Sequence, residues 1–128
     1  MSRDELRVCL GEQDRLQQIN SGIASEQAEL DRQKAEVQRI DAELATKVGT
    51  VDPNDAATLA AVKEQGAKRD EIAANYNTRL AALREQSATY DSGRKTWVER
   101  CGNKNYDERD EAAIRQEQRA AAAASKNK

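Results

Sequence analysis

The chain has 128 residues, of which 34% are charged, 3% are aromatic and none is phenylalanine. This length suggests one domain, and the composition is typical of long helices or coiled coils. Lys and Arg together number 21 against 23 Asp and Glu, without the basic stripe that phosphate binding requires. No apolar run is long enough to span a bilayer. We therefore expect no nucleic-acid partner and no membrane insertion.

A seven-residue apolar repeat marks the first predicted helix, with Ile19 and Ile40 at the half-heptad positions. A repeat of this length is typical of coiled-coil helices. It predicts a helix over residues 4–47, which Ser2 or Asp4 can cap. The residues of the repeat are Cys9, Leu16, Ile23, Leu30, Val37 and Leu44.

The next six residues, 48–53, predict a turn. Gly49 suits the position after a helix end, and Asp52 followed by Pro53 fits an N-cap and a first helical residue. A second helix is expected over residues 54–101, because apolar residues again recur at alternating spacings of three and four. Its apolar residues are Leu59, Val62, Ala73, Tyr76, Leu80, Leu83, Tyr90, Trp97 and Cys101.

The two helices define the expected fold, an all-α, long antiparallel two-helix coiled-coil hairpin. Gly102 predicts a helix stop, and Asp107 can cap a short C-terminal helical appendage within residues 102–116. The hairpin domain is therefore expected to cover residues 1–116. Residues 117–128 have no apolar periodicity and predict a disordered or frayed helical tail.

Cys9 and Cys101 lie near the open end of this hairpin, where a disulfide is favoured and two small buried hydrophobes are the alternative. The arms differ by nine residues, or about 13 Å of helix. A disulfide tolerates Cα separations of about 4.4 to 6.8 Å. We therefore expect a non-helical stretch around residues 54–62, or less favourably a break at 91–93. A continuous second helix would count against the disulfide.

The polar residues do not suggest catalysis. There is no histidine, and the carboxylates lie on helix faces without a cleft to shift their pKa values. Two cysteines alone cannot complete a zinc shell. We expect no enzyme activity, no cofactor and no metal.

Four polar residues interrupt the apolar repeats at positions that face the neighbouring helix. They can fix the register and the antiparallel orientation of the hairpin. Alternatively, they face a second hairpin in a homodimer. These residues are Glu26, Gln33, Arg69 and Arg94.

The largest apolar side chains are concentrated at the open end of the hairpin. One interpretation is a small core around the cysteines. The other is a surface for a protein partner, since Trp and Tyr are over-represented at binding hot spots. The candidate partner-binding residues are Leu6, Leu10, Trp97, Tyr106 and Ile114.

Three motifs resemble those of a group of small, uncharacterised bacterial proteins, some of them exported, with a cysteine near each end of an alanine-rich helical hairpin. The resemblance covers about residues 4–115, implies that the two cysteines belong together, and implies no activity. The motifs are Asp4-Glu5-Leu6-Arg7-x-Cys9-Leu10, Ala74-Asn75-Tyr76-Asn77, and Trp97-x-x-x-Cys101-Gly102-x-x-x-Tyr106-x-x-x-Asp110-Glu111-x-x-Ile114.

The expected function is that of a non-catalytic structural or adaptor protein that presents coiled-coil faces to a protein partner. The alternative is a helper or chaperone-like stalk protein of bacterial protein export or assembly. The charged N-terminal residues lack the apolar stretch of a signal peptide. The expected location is therefore periplasmic or secreted if the sequence is a mature form, and cytoplasmic otherwise.

Overall fold

The structure is a computed structural model and describes residues 1–126 of the chain. It contains the helices α1 (Arg3–Thr50), α2 (Ala56–Trp97) and α3 (Glu108–Lys126), with a π-helical turn at Val98–Gly102. The described residues include no strand. The predicted all-α fold is confirmed: α1 and α2 form a helical hairpin, and α3 is the short C-terminal helix.

The chain divides into two compact units. The terminal unit comprises Met1–Asn20 and Ala88–Lys128, and the central unit comprises Ser21–Ser87. The terminal unit therefore contains both cysteines and α3. Residues 117–126, expected to be a disordered or frayed helical tail, continue α3 as helix. Within this stretch Gln118 is half-buried and the other residues are exposed. The part of that prediction that concerns residues 127–128 lies outside the described residues.

Side-chain caps start α1 and α3 where the sequence predicts them. The Ser2 hydroxyl accepts a hydrogen bond from the Glu5 backbone amide at 3.1 Å, and the Glu5 carboxylate accepts one from the Ser2 amide at 3.4 Å. This reciprocal pair is a capping box, which selects Ser2 over Asp4 as the cap. Asp107 accepts from the Arg109 amide at 2.8 Å at the start of α3.

The connection between α1 and α2 differs from the prediction. α1 continues through Gly49 to Thr50, and no glycine among residues 1–126 has a positive φ. Asp52 accepts from the Asn54 amide at 2.9 Å within the turn rather than capping α2. The cap is Asp55, whose carboxylate accepts from the Thr58 amide at 3.2 Å and the Thr58 hydroxyl at 2.6 Å. Asp55 is favoured because Thr58 supplies two donors.

Both expected interruptions of the second helix are wrong. α2 is continuous from Ala56 to Trp97, across residues 56–62 and 91–93. The length mismatch is instead reduced at the turn, because α1 ends three residues later and α2 begins two residues later than predicted. Cys9 lies 41 residues before Thr50, and Cys101 lies 45 residues after Ala56. The two arms therefore differ by about 6 Å of helix. A continuous α2 therefore does not exclude the cysteine pair.

The central unit is an antiparallel pair of helices with a narrow apolar seam. Leu30, Ile40 and Leu83 are at most 5% exposed. Every residue of the predicted apolar repeats that lies in this unit is buried or half-buried. The seam therefore lies where the heptad pattern predicts it.

Polar pairs cross the same seam. Arg79 donates to both carboxylate oxygens of Glu26 at 2.6 and 2.8 Å. Gln33 donates to Asn75 at 2.9 Å. Further towards the turn, Arg69 donates to Asp41 at 2.8 Å and Gln65 donates to Glu43 at 2.7 Å. From one pair to the next, the residue number increases on α1 and decreases on α2, as it must in an antiparallel register. Glu26, Gln33 and Arg69 thus have partners within the chain, which favours the register interpretation, whereas Arg94 is exposed.

Candidate interaction site beside the cysteine pair

The structure brings the two cysteines of the terminal unit to bonding distance. Cys9 lies on α1 and Cys101 in the π-helical turn, with their sulfur atoms 2.08 Å apart and their Cα atoms 5.9 Å apart. Cys9 is 7% exposed and Cys101 is half-buried. The pairing favoured from the sequence is therefore the one that the structure contains.

Trp97 lies one helical turn before Cys101 and is fixed against α1. Its indole Nε1 donates to the Cys9 backbone carbonyl at 2.7 Å, and the residue is half-buried. The hydrogen bond satisfies the polar atom of the ring, so the apolar part of Trp97 is held beside the disulfide.

Three of the five candidate partner-binding residues form the core of the terminal unit. Leu6, Leu10 and Ile114 are 2%, 5% and 0% exposed and pack together, with Met1 against them. They join α1 to α3 and offer almost no surface to a partner. Among the candidate residues, Trp97 is half-buried and Tyr106 is 46% exposed. The carboxylate of Glu111 raises the Tyr106 pKa, mainly through its negative charge.

Ion pairs flank the contact between α1 and α3. Arg3 binds Asp110 at 2.8 Å. Arg7 donates to both carboxylate oxygens of Glu117 at 3.1 and 3.3 Å, and Arg115 binds Asp14 at 2.6 Å. Partly exposed pairs add little stability individually, but α1 presents two cations and then an anion to opposite charges on α3, which favours one seating of α3 along α1.

A recess of about 300 Å³ opens beside the cysteine pair, within the terminal unit. Val8, which is 51% exposed, lies on its α1 side, and Trp97 lies on its α2 side. Glu12, Arg15 and Arg100 supply its charged atoms. We call it the Val8 groove. Its remaining lining residues are Cys9, Thr89, Ser92, Gly93, Thr96 and Cys101.

Gly93 leaves room for the Leu16 side chain of α1 to lie against α2. A Cβ atom at this position would lie 2.9 Å from Leu16 Cδ2, closer than ordinary van der Waals contact. The sequence signal was present, since Thr89, Gly93 and Thr96 follow one another at spacings of four and three. From the sequence, residues 91–93 are only the less favoured place for a helix break, and the groove that these small residues line is not predicted.

The carboxylates whose pKa values shift in this chain favour the ionised form. The hydrogen bond from Arg79 holds the pKa of Glu26 below its usual value, and Arg32 does the same for Glu29. Hydrogen bonds from Thr58 lower the pKa of Asp55. A general acid at neutral pH needs the opposite shift. These groups are therefore suited to joining helices, as Glu26 does, or to stabilising their own helix, as Glu29 and Asp55 do.

Two further properties bear on ligands. Among residues 1–126 there is no group of three or more Cys, His, Asp or Glu side chains placed to hold a metal ion. None of the helices described combines the length and apolar character needed to cross a membrane.

Comparisons with protein-family models, with curated proteins and with solved structures find no match to the chain. The geometry of the terminal unit is therefore the basis of the function proposed below.

Proposed function

We propose that this protein is a non-catalytic structural or adaptor protein that presents its helix faces to a protein partner. The observation that carries the proposal is the Val8 groove, where an exposed valine borders a recess beside a fixed tryptophan. Exposed apolar surface next to an anchored aromatic ring is typical of protein-binding sites.

The electrostatics of the hairpin support a structural role. Glu26, Asp41 and Glu43 have partners on the opposite helix. The pKa values that are lowered are those of Glu26, Glu29, Glu36 and Asp55, which is opposite to the shift that a general acid needs. Such groups align helices and carry no proton to transfer to a substrate.

The cysteine pair supports a periplasmic or secreted location. Disulfides persist in oxidising compartments and are rare in the cytosol. The same observation favours the second candidate function, a helper or chaperone-like stalk protein of bacterial protein export or assembly. Both functions need a protein-binding surface, and they differ in whether the partner is a resident assembly or a protein in transit.

Site-specific photocrosslinking in the source organism tests the proposal. A photoreactive amino acid replaces, one at a time, each of the exposed large apolar residues. We expect a discrete protein adduct from at least one of these positions. The control position is Gln17, an exposed residue nine positions from Val8 and therefore on the opposite side of α1. The four test positions are Val8, Val48, Val98 and Tyr106.

Discrete adducts would also separate the two candidate functions. One adduct of constant mass indicates a resident partner, whereas several adducts that disappear when protein synthesis is blocked indicate proteins in transit. If none of the four positions gives an adduct, the protein-binding function is wrong.

A further inference from the structure

The two sides of α1 in the terminal unit are used differently. Leu6 and Leu10 face α3 and are buried against Ile114. Val8 is two residues from each of them, which places it about 200° around the helix. Its side of α1 is not covered by α3, since Val8 is 51% exposed and borders the groove.

α3 shows how a helix packs on α1 in this protein. An apolar side chain, Ile114, sits at the centre of the contact and is 0% exposed. Charged side chains of opposite sign meet around it, as in the pairs Arg3–Asp110 and Asp14–Arg115. The Val8 groove has the same layout of an apolar centre with a charged margin, but lacks the second helix.

The charges around the Val8 groove leave an excess of unpaired cations. Arg100 has no ion pair among residues 1–126, and neither has Lys104, which lines an adjoining recess that shares Val8, Cys9 and Arg100 with the groove. Arg15 has only a loose contact of 3.8 Å with Glu12.

The adjoining recess has carboxylates of its own, and both bond to residues at the start of α1. Asp4 binds Arg7 at 2.6 Å, and Glu5 accepts from the Ser2 amide while keeping its negative charge. The groove itself is lined by Arg15 and Arg100 against one carboxylate, Glu12, so its own charge is net positive.

We infer that the Val8 groove receives an acidic amphipathic helix of the partner protein. An apolar side chain of that helix fills the recess between Val8 and Trp97, and its carboxylates pair with Arg100 and Lys104. A helix in a groove is a common mode of peptide recognition, whereas small-molecule sites enclose most of their ligand's surface. The inference rests on the proposed function and specifies the partner's chemistry.

Selection from a phage-displayed library of random peptides tests this inference. The full-length, oxidised protein is the immobilised target. The groove variants are Val8→Asp and Arg100→Glu. Their matched controls are Ala45→Asp, at an exposed alanine near the end of α1, and Arg84→Glu, at an exposed arginine on α2 outside the groove. Circular dichroism and thiol titration establish that each variant is folded and oxidised.

We expect the selected peptides to combine acidic residues with apolar residues at spacings of three and four. Each groove variant should weaken their binding about tenfold or more, as at a binding hot spot. The two control variants should bind as the unchanged protein does. Replacing the peptide carboxylates with lysine should restore binding to the Arg100→Glu variant.

The inference is overturned if no peptide is enriched, if the enriched peptides are not acidic, or if both groove variants bind normally. These results leave the proposed function standing when a photocrosslinker at Val48, Val98 or Tyr106 still captures a protein. If crosslinking failed at all four positions, both the inference and the proposed function would be wrong.

Discussion

Gly22 and Gly93 both lie inside long helices, but they have different surroundings. A Cβ atom at Gly22 would meet nothing within 4 Å, whereas at Gly93 it would lie 2.9 Å from Leu16 Cδ2. We expect Gly22→Ala to raise the free energy of unfolding by up to about 1 kcal/mol, because alanine is the better helix former. Gly93→Ala should stabilise less than Gly22→Ala, by between zero and about 1 kcal/mol, since the Leu16 side chain must rotate away from the new methyl group.

Chemical denaturation of the two glycine variants measures this difference directly. Gly22→Ala is the control for helix propensity, because both substitutions make the same chemical change. An equal stabilisation by both would show that the space beside Gly93 is not occupied by Leu16.

The buried amide of Gln33 is a second feature of single-residue scale. Its Nε2 donates to Asn75 at 2.9 Å, but its Oε1 is buried and has no partner within the described residues. Gln33→Leu should therefore stabilise the protein by about 1 kcal/mol, since an unsatisfied buried polar atom is removed. Asn75→Ala should destabilise it by about 1 to 3 kcal/mol, because Nε2 then loses its acceptor.

Urea denaturation of both variants and of the double variant checks this expectation. In the double variant the two effects should not add, because the amide that needs Asn75 is absent. A destabilised Gln33→Leu variant would contradict the expectation and would give the Gln33–Asn75 pair a positive role in stability.

At the scale of elements, the start of α2 depends on one carboxylate. Asp55 accepts two hydrogen bonds from Thr58. We expect Asp55→Ala to lower the free energy of unfolding by about 1 kcal/mol, as for other N-cap losses. Asp52→Ala is the matched control and should have a smaller effect, because Asp52 bonds only within the turn. A larger effect at Asp52 would show that the cap predicted from the sequence is the true one.

Ion pairs between and within helices make stability depend on pH. The pKa values of Glu26, Glu29 and Glu36 are lowered in the folded protein by arginine partners. The unfolded chain then binds more protons than the folded one as pH falls towards these values. We expect the stabilisation by these ion pairs to be fully present above a pH of about 4.5, the usual pKa of glutamate. It should be lost as the pH falls through the lowered pKa values of the folded protein.

Thermal unfolding at pH values from about 3 to about 7 measures this loss of stability. Glu26→Gln should flatten the profile, because its hydrogen bonds with Arg79 no longer depend on a titrating carboxylate. Glu64→Gln, at an exposed position on α2, is the control and should retain the original profile. Stability that rises as pH falls would contradict the direction of these pKa shifts.

The sequence predicted the helices well because the apolar repeats are a property of residue order. The seam formed by Leu30, Ile40 and Leu83 follows directly from them. The helix ends were displaced because several residues near the turn are competent caps. The choice of Asp55 over Asp52 depends on two hydrogen bonds to Thr58, which become visible only in three dimensions.

The candidate site was predicted only in part. The cysteine pair was expected, and of the two interpretations of the apolar residues near it, Leu6, Leu10 and Ile114 agree with the small core and not with the partner-binding surface. Exposure at Val8 could not be read from the sequence, since it depends on which side of α1 is covered by α3. Residues 91–93 have the composition of a helix break, and only the contact with Leu16 on α1 shows that Gly93 is a packing position inside a continuous helix.

At the scale of the whole molecule, the cysteine pair closes a segment of chain with a sequence separation of 92 residues. In the chain-entropy description, a disulfide across a loop of this length stabilises the folded state by roughly 4 to 5 kcal/mol. The buried core of the terminal unit is small, with Leu6, Leu10 and Ile114 as its packed cluster. That contribution belongs to unfolding of the whole closed segment, and the covalent link itself lies in the terminal unit, whose core is small.

Reduction should consequently loosen the terminal unit more than the central unit. We expect backbone amides within residues 3–20 and 88–102 to lose protection from hydrogen exchange after treatment with a dithiol, because they no longer share a covalent link. Amides within residues 21–87 should retain more of their protection, since their seam and polar pairs contain no cysteine. The Cys9→Ala/Cys101→Ala variant should reproduce the reduced protein and should not respond to the dithiol. Equal loss of protection in both units would show that they unfold together. Unchanged exchange throughout, in a protein whose peptide map shows Cys9 linked to Cys101 before treatment, would show that the core holds the terminal unit without the disulfide.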